Sequence, residues 1–377
     1  MEFKPVKKLG FGLMRLPLRN SENDSDIDIE RLKQMVDLFL QEGFTYFDTA
    51  WMYNGFASEK AVKLALTSRH PRDSYTLATK LHADFIETEE DRDRIFNQQL
   101  EKTGAGYFDY YLIHDIEEGF IEKYEKLHVF DWILEKKKQG LVKHAGFSFH
   151  ATPELLDRVL TDHPEMEFVQ LQINYLDWEN PKVQSRRCYE TAVKHGKPVI
   201  VMEPVKGGTL ARVPEAVKQL FEAQDSAMSV PSWAVRFAAS LPDVMVVLSG
   251  MSTLEQIADN TGYMKEFVPL SEAEKEVCFK AAEMISSDVE IPCTACSYCT
   301  DGCPMKIAIP RYFHLYNQDT AASKQQMVKV VSSEDYSKLS ETFGKPSDCI
   351  GCGSCEGVCP QHLPIRDLLK TVSDYYG

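Results

Sequence analysis

Residues 109–114 read DYYLIH, a short apolar run that begins at an aspartate and ends at a histidine. Apolar runs of this length, rich in aromatic and branched residues, are typical of buried strands in a parallel sheet. Comparable runs occur at residues 45–48, 75–80, 143–148, 168–173, 198–203 and 244–249. Helical patterns lie between or beside them, at residues 30–42, 55–68, 89–103, 122–139, 153–161, 181–196 and 253–261. Alternating strands and helices predict a parallel α/β sheet.

The number of strand–helix units indicates whether that sheet is a closed barrel or an open, doubly wound sheet. Roughly eight units favour a (β/α)8 TIM barrel over a doubly wound sheet. No G-x-G-x-x-G motif follows the first predicted strand, which weighs against a Rossmann domain. We therefore predict a TIM barrel over residues 1–275, a linker over 276–290 and a second domain over 291–377.

Polar side chains end six of the predicted strands. In TIM barrels the carboxyl ends of the strands form the active site. Any one of these residues alone would be explained by helix capping or surface pairing, whereas six at successive strand ends favour a shared site. They are Asp48, Lys80, His114, Ser148, Gln172 and Glu203.

Eight of the ten cysteines lie in two stretches of the C-terminal region, CTACSYCTDGCP at 293–304 and CIGCGSCEGVCP at 349–360. Both follow C-x2-C-x2-C-x3-C-P, a spacing that wraps thiolates around an iron–sulfur cluster. The alternative is a pair of structural zinc sites, but zinc usually takes two separated Cys-x2-4-Cys pairs. Residues 311–343 are polar without strand-like alternation, and we predict that they are mainly helical.

These two stretches resemble the bacterial-type two-cluster ferredoxins. The resemblance implies two [4Fe–4S] clusters, with the fourth cysteine of each motif binding the cluster of the other motif. The long interval between the motifs is more similar to the helical ferredoxin domains of larger oxidoreductases. The implied ligand sets are Cys293, Cys296, Cys299 and Cys359 for the first cluster, and Cys349, Cys352, Cys355 and Cys303 for the second.

The first 270 residues, roughly, resemble the aldo-keto reductases. The resemblance rests on FDTAWMYNG at 47–55, TLATK at 76–80, DYYLIH, GFS at 146–148, QINY at 172–175 and STLEQIADN at 252–260. In that family an aspartate, a tyrosine, a lysine and a histidine form a catalytic tetrad. The resemblance implies that these are Asp48, Tyr53, Lys80 and His114. With its cysteine-rich tail, the chain looks like the iron–sulfur aldo-keto reductases of bacteria and archaea.

The tetrad residues suit carbonyl reduction, which needs a hydride on carbon and a proton on oxygen. A tyrosine holds its proton at neutral pH and can donate it. A neighbouring lysine favours the phenolate that remains, and an aspartate keeps that lysine charged. The histidine would hydrogen-bond the substrate carbonyl and orient it.

The resemblance also implies a nicotinamide cofactor, NAD(P)(H). Ser148 and Gln172 match positions that hold the carboxamide, and Asn260 matches a position at the adenine. Met202 stands where the family commonly stacks a tyrosine on the nicotinamide. Gly250 and Gln256 stand where it commonly binds the 2′-phosphate with cations. Without those cations NAD, or a flavin packed on Met202, becomes a more plausible cofactor than NADP.

Composition restricts the partners. A net charge of −15 argues against nucleic acid and anionic membranes, and no apolar run is long enough for a membrane span or signal peptide. Clustered cysteines then indicate metal binding in a reducing, cytoplasmic setting. We expect a small carbonyl or alcohol substrate and a ferredoxin or flavoprotein as electron partner.

Three accounts of the whole chain stay open at this point. The clusters relay electrons between a partner and a cofactor bound in the barrel, or they are structural or redox-sensing additions to an ordinary NAD(P)H carbonyl reductase. In the third account the barrel is a regulatory or binding module without turnover. The intact tetrad argues against the third, and two cross-ligated clusters favour the first, because one zinc ion would hold a fold together more simply.

Overall fold

A computed structural model describes residues 7–20 and 23–377 of the chain. Residues 1–6 and 21–22, which belong to the predicted barrel domain, lie outside the described residues. Eight parallel strands form a closed barrel in the order β1 to β8, which confirms the TIM barrel and excludes a doubly wound sheet. The strands are β1 Leu9–Gly12, β2 Tyr46–Asp48, β3 Thr76–His82, β4 Phe108–Ile116, β5 Val142–Phe149, β6 Phe168–Gln172, β7 Val199–Met202 and β8 Val244–Gly250.

Helices surround the barrel and complete the alternating pattern. Those of the barrel region are α1 Ile29–Gln41, α2 Tyr53–Phe56, α3 Ser58–Val62, α4 Glu89–Thr103, α5 Ile121–Lys126, α6 Val129–Lys138, α7 Pro153–Asp162, α8 Ser185–Lys194, α9 Glu215–Gln224, α10 Val230–Ala239, α11 Leu254–Lys265 and α12 Glu272–Asp288. A π-helix at Lys63–Thr67 continues α3, and 3-10 turns occur at Arg72–Ser74, Ala83–Phe85 and Lys206–Ala211. The helix expected over 122–139 is divided at His128, whose φ of 49° is left-handed.

Strand β1 closes the barrel, and the sequence did not predict it. It pairs with β2 on one side and with β8 on the other. A Cβ at Gly10 would lie 2.7 Å from Leu248 Cδ2 and 2.8 Å from Val246 Cγ1, so the strand approaches its neighbours closely there. Two glycines in LGFG remove the side-chain alternation by which a strand is recognised.

The barrel interior is packed with side chains and leaves the reactive groups at its carboxyl rim. Tyr46, Tyr110, Phe168, Ile200 and Val246 fill the interior with 3% exposure or less. A layer of large aromatic side chains below the rim supports the polar residues above it, as expected for a barrel of eight strands.

The C-terminal region is helical and has a core of its own. Its elements are α13 Tyr298–Asp301, α14 Ile309–Gln326, α15 Ser333–Thr342, α16 Ser354–Gly357 and α17 Ile365–Tyr376, with a 3-10 turn at Pro346–Asp348. The helices α14 and α17 each begin five residues after the Cys-Pro pair that ends a cysteine motif. Ile309, Phe313, Leu363 and Ile365 pack around Cys299 and Cys355. Helices therefore fill the interval between the two cysteine motifs.

Helix α12 connects the two parts and covers residues 272–288, most of the stretch interpreted as a linker. Its buried face, Cys278, Ala281 and Ile285, packs with Trp233 and Phe237 of α10. Among the described helices, none combines the length and the apolar character needed to cross a membrane.

The cluster-motif region lies against the mouth of the barrel. Arg15 donates a hydrogen bond of 2.9 Å to the carbonyl of Thr294. Lys206 Nζ lies 2.7 Å from Gln361 Oε1, and His362 Nε2 lies 3.0 Å from the carbonyl of His150. These polar contacts place both cysteine motifs at the carboxyl rim of the barrel.

Candidate active site and cluster sites

Lys80 is the centre of a hydrogen-bonded group at the ends of β2 and β3. Its side chain is fully buried, and its amine donates to Asp48 Oδ1 at 2.5 Å, to the Thr49 carbonyl at 2.8 Å and to the Tyr53 hydroxyl at 3.2 Å. An ammonium group has three N–H donors, so all of them are used. Removing one partner of such a buried ion pair typically costs about 3–5 kcal/mol.

Burial governs the protonation of this group. Burial lowers the pKa of Lys80, and the negative charge of Asp48 opposes that shift. Burial raises the pKa of Asp48, and the positive charge of Lys80 opposes that shift. Burial also raises the pKa of Tyr53 well above its ordinary value, and the carboxylates of Asp48 and Glu203 add to that effect. The phenol of Tyr53 therefore holds its proton at neutral pH and is available as an acid.

His114 faces Tyr53 across the rim, with ring centroids 6.0 Å apart. Burial lowers its pKa well below the ordinary value, and His82 and Lys80 act in the same direction. Its imidazole is neutral, and Nδ1 has no hydrogen-bond partner among the described residues. A neutral histidine with a free ring nitrogen can bind a polar group of a ligand.

The structure brings Asp48, Tyr53 and His114 together on the wall of one cavity of about 1290 Å³, with Lys80 directly behind them. Glu203, the last residue of the predicted strand 198–203, lines the same cavity, and its Oε2 is buried without a partner among the described residues. Burial raises the pKa of Glu203, and Arg15 acts against that shift.

The predicted cofactor residues divide into two groups. Met202, Gly250 and Asn260 line the cavity. Ser148 and Gln172 are not among the described residues that line it. The Ser148 hydroxyl accepts a 2.8 Å hydrogen bond from the Asp115 amide, and Gln172 Nε2 lies 3.0 Å from Asp177 Oδ2. Asn260 also binds within the protein, donating to Ser249 Oγ at 2.7 Å.

The cavity extends from the tetrad along the loops after β7 and β8. Gly207, Gly208, Ser252 and Gln256 line this extension on the barrel side. Helix α14 of the C-terminal region lines the facing side with His314 and Gln318. The volume exceeds the roughly 300–1,000 Å³ of a typical small-molecule pocket, which fits a dinucleotide better than a small substrate alone.

The eight cysteines of the two motifs lie around two small apolar cavities. One is lined by Cys293, Cys296, Cys299 and Cys359, together with Ile309 and Phe313. The other is lined by Cys303, Cys349, Cys352 and Cys355. Each set takes three cysteines from one motif and the fourth from the other motif, which is the exchange that the ferredoxin resemblance implies.

The donor set fits iron–sulfur clusters better than zinc. Four cysteines around a cavity suit a larger cluster. Burial raises the pKa of Cys296 to about 12 and that of Cys355 to about 11. Thiolates at these positions therefore need the positive charge of bound metal.

Two residues of the site were missed by the sequence analysis. Arg15 follows strand β1, which was not predicted, and Tyr298 lies between two cysteines of the first motif. Both line the cavity. Neither could be found from a local pattern, because their approach to the tetrad depends on how the two parts of the chain pack together.

An eight-stranded barrel with an Asp–Tyr–Lys–His group at its carboxyl rim and a dicluster region beside it defines an oxidoreductase. The model of the Aldo/keto reductase family matches residues 8–282, and that of a 4Fe-4S dicluster domain matches residues 292–363. The chain belongs to the aldo/keto reductase family. No curated protein matches it significantly.

Several solved aldo-keto reductases share the barrel. A holo form from Bacillus halodurans is 24% identical, with a TM-score of 0.58 over 73% of this chain and 92% of that one. A Klebsiella pneumoniae enzyme in complex with NADP and acetate is 17% identical, with a TM-score of 0.57 over 74% and 92%. A Brucella melitensis enzyme is 20% identical, with a TM-score of 0.55 over 73% and 94%. At these identities the likeness establishes the fold.

Proposed function

We propose that this protein is an NAD(P)-linked carbonyl or alcohol oxidoreductase whose two [4Fe–4S] clusters pass electrons between the barrel cavity and a partner protein. One observation carries the proposal. The cavity lined by Tyr53 and His114 from the barrel is also lined by Cys293 and Cys296, two of the predicted ligands of the first cluster.

In the reductive direction, Tyr53 is the acid. A nicotinamide, when bound in the cavity, would supply a hydride for the carbonyl carbon. As the carbonyl π bond breaks, the Tyr53 proton moves to the oxygen and an alcohol results. Lys80, already bound to the phenol oxygen, stabilises the phenolate that remains. His114 binds the substrate oxygen through its neutral ring and holds it within reach of Tyr53.

The cofactor preference follows from the residues at the extension of the cavity. Gly250 and Gln256 match positions at which the family commonly binds the 2′-phosphate with cations, and loss of a charge-assisted hydrogen bond removes about 1.5–3 kcal/mol. We therefore assign NAD ahead of NADP. The NADP-bound Klebsiella pneumoniae structure supports a nicotinamide in a barrel of this kind.

The relay accounts for two clusters in one chain. A hydride carries two electrons, whereas each cluster accepts one, so two clusters together match one hydride. A flavin bound in the cavity would mediate between the two-electron nicotinamide and the one-electron clusters. The cysteines that would hold the second cluster lie nearer to solvent, because Cys352 is exposed and Ile350, next to Cys349, is 63% exposed. A ferredoxin or flavoprotein partner would exchange electrons at this end.

Carbonyl reduction is tested with Tyr53→Phe. The variant should lower kcat for p-nitrobenzaldehyde with NADH by at least about 100-fold, the usual range for loss of a general acid, with unchanged cluster absorbance. Tyr107→Phe, at the opposite end of strand β4, is the matched control and should retain activity. Full activity in Tyr53→Phe would refute the tetrad assignment.

The relay is tested by anaerobic reduction with NADH or NADPH, followed by electron paramagnetic resonance, with and without added flavin. Signals of reduced clusters are expected. An ordinary reductase with structural clusters is the second candidate, and the packing of Cys299 and Cys355 within the hydrophobic core of their domain favours it. Active carbonyl reduction without any cluster signal would select that candidate.

A further inference from the structure

The side chain of Gln361 lies between the barrel and the cavity of the first cluster. It follows Cys359 by two residues and lines the small cavity that the four predicted ligands of that cluster surround. Only 5% of the residue is exposed. Its amide is therefore shielded from solvent, and both ends of the amide need hydrogen-bond partners at this boundary.

The barrel determines which end of the Gln361 amide faces it. Lys206 Nζ lies 2.7 Å from Gln361 Oε1. An ammonium group has three N–H donors and no acceptor, so only the oxygen of an amide can face it. The NH2 group of Gln361 must therefore point away from Lys206.

Lys206 is itself held by a buried ion pair. Its Nζ lies 2.6 Å from Asp177 Oδ1 and 2.8 Å from Asp177 Oδ2, and both residues are buried. The carboxylate of Asp177 also accepts hydrogen bonds from Asn174 Nδ2, at 2.8 Å, and from Gln172 Nε2, at 3.0 Å. With Gln361, these contacts occupy all three donors of Lys206, so the ammonium group cannot turn away without losing a partner.

The NH2 group of Gln361 has no such partner. Its Nε2 is buried and forms no hydrogen bond with any residue that the structure describes. An unpaired buried donor is unfavourable. The cavity that Gln361 lines is surrounded by four cysteines, and the thiolates and inorganic sulfides of a [4Fe–4S] cluster accept hydrogen bonds. A cluster in this cavity would supply the acceptor that the amide lacks.

We infer that Gln361 donates a hydrogen bond to a sulfur of the first cluster, and that the ion pair of Lys206 and Asp177 holds this donor in place. Reduction adds negative charge to a cluster, so an N–H donor favours the reduced state and raises the reduction potential. The barrel thereby tunes the cluster that lies beside its own cavity. This inference rests on the iron–sulfur part of the proposed function and does not depend on carbonyl reduction.

Electron–nuclear double resonance tests the hydrogen bond directly. The full-length protein carries 15N only at its glutamine side-chain amides, and its clusters are reduced radiolytically at cryogenic temperature, so that reduction does not depend on their potentials. A glutamine 15N coupling is expected in the wild type and in Gln326→Leu, an exposed control at the end of helix α14. It should be lost in Gln361→Leu. Wild-type clusters without a glutamine coupling would overturn the inference, whether or not any variant folds.

The reduction potential gives a second readout. An anaerobic redox titration is followed by electron paramagnetic resonance at the cluster signal that carries the glutamine coupling. At the wild-type midpoint, the ratio of reduced to oxidised cluster should be about threefold to tenfold lower in Gln361→Leu, the effect of one hydrogen bond. Gln326→Leu should titrate like the wild type. An unchanged midpoint in Gln361→Leu would contradict the inference.

Lys206→Met combined with Asp177→Asn tests the contribution of the barrel. The double variant removes both charges, so no unpaired ion stays buried and the net charge beside the cluster is unchanged. The glutamine coupling should weaken and the midpoint should fall as in Gln361→Leu, whereas wild-type values would show that the ion pair does not hold the amide. A wild-type protein without iron and sulfide would refute the proposed clusters together with this inference, while intact clusters without the coupling would refute the inference alone.

Discussion

Burial decides the protonation of individual side chains at the barrel mouth. It keeps the imidazole of His114 neutral and the phenol of Tyr53 protonated. The same effect extends to Glu117, just beyond the rim: burial raises its pKa to about 8, and the nearby Asp115, Glu118 and Asp84 add to the shift. Negative charge is therefore disfavoured at Glu117, whereas the neighbouring histidines lower the pKa of Asp115 against the opposing effect of burial.

Glu117→Gln should remove a pH dependence of stability. In the unfolded chain the Glu117 carboxyl titrates near 4.5, and in the folded protein at about 8. Between these values the folded protein holds a proton that the unfolded chain has released, so stability falls as pH rises through that window. The thermal midpoint of the variant should match that of the wild type near pH 4.5 and exceed it progressively up to pH 8. The account would be contradicted if the thermal midpoints of wild type and Glu117→Gln changed in parallel with pH. It would also be contradicted if Glu122→Gln, at an exposed position, diverged from the wild type in the same way.

The sequence predicted the tetrad but not the residues that complete the pocket. Asp48, Tyr53, Lys80 and His114 follow predicted strands in one part of the chain, where motif and period are both informative. Tyr298 is hidden inside a cysteine motif, whose spacing describes only the cluster ligands. Its place on the wall of the cavity depends on how two domains pack, and no local pattern contains that information.

At the scale of secondary-structure elements, the turn at Lys206–Ala211 joins the two domains. Lys206 forms a buried ion pair with Asp177, at 2.6 Å, and also binds Gln361, two residues after a predicted cluster ligand. The next residue, Gly207, has a φ of 63° and lies against the backbone of Thr294. A single turn after strand β7 therefore contacts the Thr294 backbone in the first cysteine motif and the Gln361 side chain just after the second.

Gly207→Ala should disturb the loop of the first cluster, and Gly208→Ala should not. Both glycines have positive φ, so both variants carry a backbone cost of roughly 1–2 kcal/mol. Only at Gly207 would the added Cβ meet the Thr294 carbonyl oxygen, at 2.0 Å; at Gly208 nothing lies within 4 Å. Faster amide hydrogen exchange over residues 293–299 is expected in Gly207→Ala alone. Equal exchange in the two variants would show that the contact is unimportant.

Three helices with a clear period were predicted closely, and two elements without one were missed. Helices α1, α4 and α7 agree with their predictions to within one residue at each end. Strand β1 was missed because of its glycines. Helix α10 was missed because its own residues from Trp233 to Ala239 are all buried. It therefore has no exposed polar face from which a helical period could be recognised.

At the scale of the whole molecule, the two cysteine motifs hold the domain together by exchange. Cys303 lies with the cysteines of the second motif, and Cys359 with those of the first. The first cavity lies next to the barrel mouth, since Cys293 and Cys296 also line the active-site cavity, while the second has the exposed Cys352. This order gives the proposed electron path an inner and an outer position.

Single cysteine replacements separate these two positions. Cys303→Ser and Cys359→Ser should each lose roughly half of the iron, because each removes one ligand of one cluster. If the ligands are exchanged between motifs, Cys303→Ser loses the outer cluster. NADH should then still reduce the remaining cluster, as seen by electron paramagnetic resonance, while transfer to added ferredoxin fails. Cys359→Ser loses the inner cluster and should abolish reduction by NADH. If instead Cys303→Ser abolished reduction by NADH and Cys359→Ser did not, each motif would bind its own cluster. Cys303 would then be a ligand of the cluster beside the barrel.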